Sequence, residues 1–393
     1  MKAFYWFRRD LRIGDNRALA EAVSEADRVA AIFVIDSDTL EYRKMSFNDP
    51  RFTFLLDALR NLDAKIRLHV FYGRTREIFE HLLGRYRFDA VYTAASLSWS
   101  EDFMVQEVKE ICRRNGVKFV ETVDNVLVDP SLLGSHVNFT TFYRRWRRLV
   151  DAQNIGEISS KVFIDIDEPS LEELCEKHGW KIPEDRMWRV DWCNRRLQSF
   201  DFRRYAAAKY YPHLDGTSKL SPYISLGVVS VRDLFNKAVG VSEEFVRQLA
   251  WREFYYYLKH KHPQMRSLEL KPHMRNVAWE NSQHLINAFK EGKTGYPIVD
   301  AGIRQLKAEK WMHNRVRLIV ASFLVKDLLV DWRIGEEFFR EHLIDYDEVL
   351  NVGNWQWSAS VGVDPIPLRV FNPIRQSEKY DPLCQYIKNM FLN

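Results

Sequence analysis

Three stretches of the chain concentrate side chains able to do chemistry. The first runs from Trp311 to Trp357, opening WMHNRVRLIVASFLVKDLLVDW and closing DYDEVLNVGNWQWSAS. On a helix, Asn314, Arg317, Leu318 and Ala321 fall at i, i+3, i+4 and i+7 and share a face, while Arg315 is turned toward a different partner. Asp345, Asp347 and Asn351 follow, and three indoles (Trp332, Trp355, Trp357) lie within 26 positions. An unpaired ion inside a protein costs on the order of several kcal/mol, so a buried arginine needs a counter-charge. The expected pair is Arg317 with Asp345. A core helix with aromatic packing explains any one of these residues; it does not explain the combination.

The second stretch, FVRQLAWREFYYYLKH, sets Gln248, Trp251, Arg252 and Tyr255 on one helical face. An amide, an indole, a guanidinium and a phenol together can stack on a nucleobase and hydrogen-bond its edge. The third, GTSKLSPYISLG at 216–227, offers hydroxyl and backbone N–H donors to a phosphate, although such clusters also serve simply as helix caps.

The elements that must hold these residues are legible in outline. Within residues 1–125, short apolar runs at Ala3–Phe7, Val29–Ile35, Leu68–Tyr72, Ala90–Thr93 and Lys118–Thr122 alternate with helical patterns, which predicts a Rossmann-like parallel sheet with crossover helices. No GxGxxG follows the first run, so a dinucleotide site of the usual kind is not expected there. Ligands of such sheets lie at the carboxyl ends of the strands, where Arg8, Asp10, Asp36 and the loop Ser98–Glu101 fall. Loop-end charges without a ligand are an equal reading.

Residues 126–190, broken by Pro130, Pro169 and Pro183, read as a connector with a helix over Phe139–Ala152. Its run YRRWRR at 143–148 suits nucleic acid, but a solvated helix face is the simpler reading. From 191 to 393 the pattern is helical, and Trp332 is expected to end the helix that starts near Trp311. The fold class is therefore α/β followed by an all-helical domain.

Composition narrows the function classes. The 393 residues are 46% hydrophobic and 28% charged, and no apolar run reaches the roughly 18–20 residues of a membrane span. The start, MKAFYWFRRDLR, has no signal-peptide core, which implies a cytoplasmic protein away from membranes. Cys112, Cys175, Cys193 and Cys384 lack metal spacing, and His260, His262 and His313 have no acidic or cysteine companions, so no metal is expected. Residues 191–393 hold 29 basic against 23 acidic side chains, and residues 1–190 hold 29 against 31. The half that carries the aromatics is the basic one, as suits nucleic acid.

WMHNR, ASFLVKDLLVDWR and NWQWSAS with FNP behind it resemble the DNA photolyase and cryptochrome family, and most of all the class I cyclobutane-pyrimidine-dimer photolyases. FRRDLRIGDNRALAEA and KTGYPIVDAGIRQL extend the resemblance over essentially the whole chain. It implies an antenna domain at 1–125, a connector at 126–190 and an FAD- and DNA-binding domain at 191–393, together forming a monomer that repairs UV-damaged DNA with light. A second antenna chromophore (folate, deazaflavin or flavin) belongs to some members, and nothing in residues 1–125 decides among them.

Carried over residue by residue, the resemblance implies FAD contacts at Tyr205, Thr217, Ser218, Lys219, Leu220, Ser221, Gln248, Arg252, Asn314, Arg317, Asp345, Asp347 and Asn351. Asn351 is the position facing the flavin's reactive nitrogen. Trp355, Trp332 and Trp279 match a relay of indoles from flavin to surface. Gln248, Trp251, Arg252, Tyr255, Asn314, Arg315, Trp357 and Arg369 match the DNA side, with Trp251 stacking on a base pair swung out of the duplex, a step for which photolyases are themselves a standard example.

The chain departs from the pattern at Gln248, where dimer photolyases usually carry glutamate and (6-4) photolyases and animal cryptochromes carry glutamine. It lacks the (6-4) enzymes' histidine pair, reading Trp311-Met312-His313-Asn314-Arg315 instead. The alternatives are thus a cryptochrome-type photoreceptor or a (6-4) photolyase.

Overall fold

Five apolar runs become strands β1 (Lys2–Phe7), β2 (Arg28–Asp36), β3 (Leu68–Gly73), β4 (Ala90–Ala94) and β5 (Lys118–Thr122) in the computed structural model, which describes residues 1–136, 138–156, 158, 162–364 and 369–392. All pairings are parallel, in the order β3-β2-β1-β4-β5. Strands β1, β2 and β4 are buried along almost their whole length, as parallel strands covered on both faces must be. The crossovers run through α1 (Arg17–Glu25), α2 (Ser37–Tyr42), α3 (Pro50–Asp63), α4 (Thr75–Arg85) and α5 (Trp99–Arg114). Strand order reverses between β1 and β4, so the loops after those two strands diverge at a switch point.

The remainder is helical: α6 (Phe139–Leu149), α7 (Leu171–His178), α8 (Val190–Ser199), α9 (Tyr205–Ala208), α10 (Ser221–Ser225), α11 (Val231–Ala238), α12 (Glu243–Lys261), α13 (Gln283–Glu291), α14 (Pro297–Glu309), α15 (Asn314–Ser322), α16 (Trp332–Arg340), α17 (Glu348–Ser358), α18 (Pro373–Tyr380) and α19 (Gln385–Leu392). The fold class read from the sequence is the observed one.

Two compact units result, and they interleave along the chain. The first comprises Met1–Asp129, Val150–Ser199 and Leu220–Lys237; the second comprises Pro130–Leu149, Phe200–Lys219 and Ala238–Asn393. The stretch 126–190 is therefore not a connector standing by itself. Its helix α6 buries Phe139, Phe142 and Trp146 in the second unit, and the arginines of YRRWRR at 144, 145, 147 and 148 are exposed.

Residues 220–237 join the first unit through ionic contacts. Arg232, fully buried, donates to Asp15 (2.9 Å) and Asp124 (2.7 Å), while Gly227 lies so close to Arg9 that a Cβ there would sit 2.0 Å from the Arg9 carbonyl oxygen. Removing one partner of such a network strands a buried charge, which makes it a strict tether.

Trp332 begins a helix rather than ending one. After α15 the backbone makes a π-helical turn, Phe323–Asp327, then a left-handed residue at Leu329 (φ 51°). Asp331 then caps α16 by accepting from the Arg333 N–H at 2.9 Å. The apolar periodicity runs straight through this break, so pattern alone does not reveal it.

Among the described residues, no helix is long and apolar enough to cross a membrane, and no cluster of three His, Cys, Asp or Glu could hold a metal. All four cysteines are free; burial pushes the Cys112 and Cys193 thiols up to about 12.

Candidate active site

The helical unit gathers most of the residues singled out above. Arg317 on α15 donates from Nη2 to both oxygens of Asp345 (2.8 and 3.1 Å) and from Nε to the Met312 carbonyl (2.8 Å). The expected pair therefore forms, with Asp345 almost wholly buried. Asp347 caps α17, accepting from the Val349 and Leu350 N–H groups at 3.1 Å, and it also accepts from the Tyr256 hydroxyl at 2.5 Å. Arg252 lies over the Tyr256 ring, 4.8 Å from its centroid, so α12 and the start of α17 are tied at this point.

Asn351, one turn into α17, is 8% exposed. Its Nδ2 donates to the Glu336 carbonyl (3.0 Å) and to Glu336 Oε1 (3.1 Å). Both neighbours are acceptors, which fixes the amide orientation and leaves Oδ1 as the acceptor turned elsewhere. Glu336 also accepts from the Tyr346 hydroxyl (3.1 Å) and pairs with Arg340 (3.4 Å); burial pushes its carboxyl up. Pattern reading missed Glu336. Its signal is an acid at the buried position one turn after Trp332.

The indoles are graded in burial. Trp355 (2% exposed) has Phe339 edge-on at 5.0 Å, and Trp332 (1%) donates from Nε1 to Glu269 at 3.3 Å. Trp355 is packed against Gly335, which lies one turn beyond Trp332 on α16. Half-buried Trp279 sits in a loop tied to the residues just before Trp332, through Glu280 N–H to Leu329 O (2.9 Å) and Asp331 N–H to Asn281 Oδ1 (2.8 Å).

On α12, Gln248, Trp251 and Arg252 are half-buried. Gln248 donates to Glu244 (3.3 Å), and Trp251 stacks in parallel on Phe139 of α6. Tyr255, expected beside them, is instead covered. It is 4% exposed, its ring lies against Gly353 of α17, and its hydroxyl donates to Asn354 at 3.1 Å. Helix α17 covers the Tyr255 end of this face, which leaves Gln248, Trp251 and Arg252 as its accessible side chains.

Among the remaining candidates, Asn314 is exposed at the start of α15, where His313 caps the helix. Arg315 lies between the rings of Tyr380 (4.3 Å) and Tyr210 (5.0 Å). Trp357 stacks on Phe371 (6.2 Å), with Arg369 at 6.0 Å from that ring, and the Phe371 N–H donates to Ser322.

Tyr205 packs edge-on to Phe245 at 5.1 Å. Thr217, Ser218 and Lys219 form a half-buried turn with Lys219 in the left-handed region (φ 53°). Gly216 is needed before it, because a Cβ would fall 2.6 Å from Ala208 O. Leu220 and Ser221 continue the chain into the first unit.

In the sheet unit, Asp10 accepts from Tyr5 and Asn16, and Asp36 accepts from Thr39 and Thr75, so both serve local structure. Arg8 donates to Thr93 (3.2 Å) and Ala94 and its Nη1 lies 3.6 Å from Glu101, but neither that buried Nη1 nor the buried Trp99 Nε1 at the start of α5 has a hydrogen-bond partner.

Residues 3–159 match the family model for DNA photolyase, and residues 245–391 match the FAD binding domain of DNA photolyase. A parallel α/β unit with a helical FAD-binding unit defines the class, a two-unit flavoprotein. The chain belongs to the DNA photolyase family, whose members are carbon–carbon lyases of DNA repair and their cryptochrome kin. It is 33% identical over 437 residues to a deoxyribodipyrimidine photo-lyase of Halobacterium salinarum, with 98% of this chain and 87% of the relative covered.

The crystal structure of an archaeal photolyase from Sulfolobus tokodaii with two FAD molecules superposes with a TM-score of 0.88 at 34% identity, covering 99% of this chain and 90% of that one. A Synechocystis sp. PCC6803 cryptochrome superposes with a TM-score of 0.85 at 24% identity, covering 99% and 88%; it shares the fold.

Proposed function

We propose that the protein splits cyclobutane pyrimidine dimers in UV-damaged DNA, driven by light absorbed at FAD in the helical unit. The observation that carries this reading is the pinned amide of Asn351. With Nδ2 committed to Glu336, Oδ1 is left to accept a hydrogen bond from a ring N–H, which suits a reduced flavin. An acid there would exchange protons; a neutral amide cannot.

The remaining donor set also fits FAD. Thr217, Ser218, Lys219, Leu220 and Ser221 offer hydroxyls, an ammonium and backbone N–H groups to a diphosphate, and Tyr205 precedes them in the chain. Gln248, Arg252, Asn314 and the Arg317–Asp345 pair, with Asp347, would hold the rest. Bound and fully reduced, FAD supplies the light absorption and the electron that opens the cyclobutane ring and then returns.

The protein's part is to bind, orient and exclude water. Trp251, with Gln248 and Arg252, receives the flipped-out dimer; Trp357, Arg369, Arg315 and Asn314 meet the strand around it, and Tyr255 supports from beneath. A dimer is already poorly stacked, so extruding it costs less than the few kcal/mol, roughly, of an intact base. Phosphate contacts make affinity fall steeply with salt. Trp355, Trp332 and Trp279 serve as the relay that brings oxidised flavin to its reduced state.

A second chromophore would sit at the carboxyl ends of β1 and β4, where Arg8 Nη1, 3.6 Å from Glu101, and Trp99 Nε1 have no hydrogen-bond partner. In cells we place the protein in the cytoplasm as a monomer.

Gln248 favours a second reading, a (6-4) photolyase or a photoreceptor. Two oligonucleotides separate them, one carrying a cyclobutane thymine dimer and the other a (6-4) photoproduct. Illuminated reduced protein should restore thymines only in the first. Restoration only in the second, or in neither, rejects the proposal.

A further inference from the structure

We infer that Phe139 is a positioning residue for damage recognition: it holds the Trp251 indole in one orientation, with the face away from Phe139 left for a flipped-out base. The inference rests on Trp251 being the stacking residue. The two rings lie 3.7 Å apart, centroid to centroid, at an interplanar angle of 5°. Aromatic pairs ordinarily settle offset or edge-to-face with centroids 4.5–7 Å apart, so this pair is unusually close and parallel. Arg247 stands over the Phe139 ring, 5.3 Å from its centroid, and over the Tyr143 ring at 4.9 Å. Phe139 (7% exposed) covers one face of the half-buried indole, whose other ring neighbours are Phe254, edge-on at 5.6 Å, and Tyr255 at 6.2 Å.

The stack is built on a fixed base. Helix α6 is fastened to α12 where Phe139 stacks on Trp251, where the Tyr143 hydroxyl donates to Glu243 and where Trp146 Nε1 donates to buried Glu253 (2.7 Å); ahead of the helix, the His136 N–H donates to the Tyr257 hydroxyl (2.6 Å). Asn138 caps the start of α6 by accepting from the Thr141 N–H at 3.1 Å, which sets where Phe139 enters the helix. Phe139, Phe142, Tyr143 and Trp146 are spaced i, i+3, i+4 and i+7, so the arginines of this helix face outward while its aromatic stripe faces α12.

An indole free to sample several rotamers would have to be ordered when a base stacks on it, weakening that complex about two- to tenfold per such side chain. Holding it beforehand removes that penalty only for DNA that presents an extruded base. Undamaged duplex, bound through its phosphates, gains nothing from it. Phe139 therefore contributes to discrimination rather than to overall affinity.

The test compares affinities for a duplex carrying one thymine dimer and for the same duplex undamaged, using FAD-loaded protein in the dark. Phe139→Leu keeps an apolar side chain but loses the parallel stack. It should lower the damaged-to-undamaged affinity ratio about three- to tenfold, with undamaged binding and flavin content kept. Phe139→Tyr should restore the ratio, and Phe139→Leu should add nothing in a Trp251→Ala background.

An unchanged ratio in Phe139→Leu, while Trp251→Ala lowers it, overturns the inference and leaves the stacking role of Trp251 standing. An unchanged ratio in Trp251→Ala removes that role and the inference with it. Equal loss on both duplexes, not rescued by Phe139→Tyr, shows a merely structural residue and also overturns it.

Discussion

The indole of Trp355 occupies the space a side chain at Gly335 would need: a Cβ built there falls 2.2 Å from Trp355 Cη2 and 2.7 Å from Leu324 Cδ2. Gly335 is one turn from Trp332 on α16, so this missing side chain is what lets the Trp355 indole of α17 pack directly on α16. Gly335→Ala should displace Trp355 and destabilise the fold by about 1–3 kcal/mol, the usual range for overpacking. Flavin photoreduction should slow in the same variant. Denaturant midpoints and steady illumination of oxidised protein measure both; photoreduction at the wild-type rate would show that the contact does not set the relay.

Trp355→Phe keeps an aromatic ring in the gap beside Phe339 and removes the readily oxidised indole. Photoreduction of oxidised flavin should be lost, whereas repair by chemically reduced protein should persist. Equal photoreduction in the variant would contradict a relay through Trp355.

Arg317→Met leaves Asp345 buried without its cation, and the Met312 carbonyl loses a donor. Breaking a fully buried pair costs about 3–5 kcal/mol; Arg317 is 23% exposed, so about 2–3 kcal/mol is expected, with reduced flavin retention. Chemical denaturation and the flavin absorbance of purified protein check both. A stable variant with full flavin content would remove Arg317 from the cofactor site.

His313 gives a pH dependence of known sign. Burial, with the nearby Arg315, Arg317 and Lys219 charges, pushes its imidazole down to about 3. The unfolded chain takes up a proton near pH 6.5 that the native chain refuses, so stability falls as pH drops from about 6.5 toward 3, by up to ~1.4 kcal/mol per pH unit for this one proton. His313→Asn keeps a side chain able to cap α15 and should flatten that slope. Denaturation midpoints between pH 7 and pH 5 decide it; an unchanged slope would mean that His313 does not titrate on unfolding.

Strands β1, β2 and β4 were legible because a parallel strand covered on both faces must be an apolar run, and β1 through β5 lie within a residue or so of their predicted positions. The Arg317–Asp345 pair was legible because a charge brought inside demands a partner. Relationships made only by packing were not. Gly335 reads as a helix-weakening residue until Trp355 is seen against it, and Tyr255 reads as a surface phenol until α17 covers it. Phe139 belonged to an aromatic stripe visible in the sequence, but the arginines between its members drew the reading toward charge. The break before Trp332 is hidden because a π-turn carries the apolar pattern onward unchanged.

The central claim is tested most directly by mixing fully reduced, FAD-loaded protein with a thymine-dimer oligonucleotide, giving blue or near-ultraviolet light to one half and darkness to the other, and counting restored thymines. The account predicts restoration in the light, none in the dark, and no net consumption of reductant. Dimers left intact under light, with flavin bound and reduced, would contradict it.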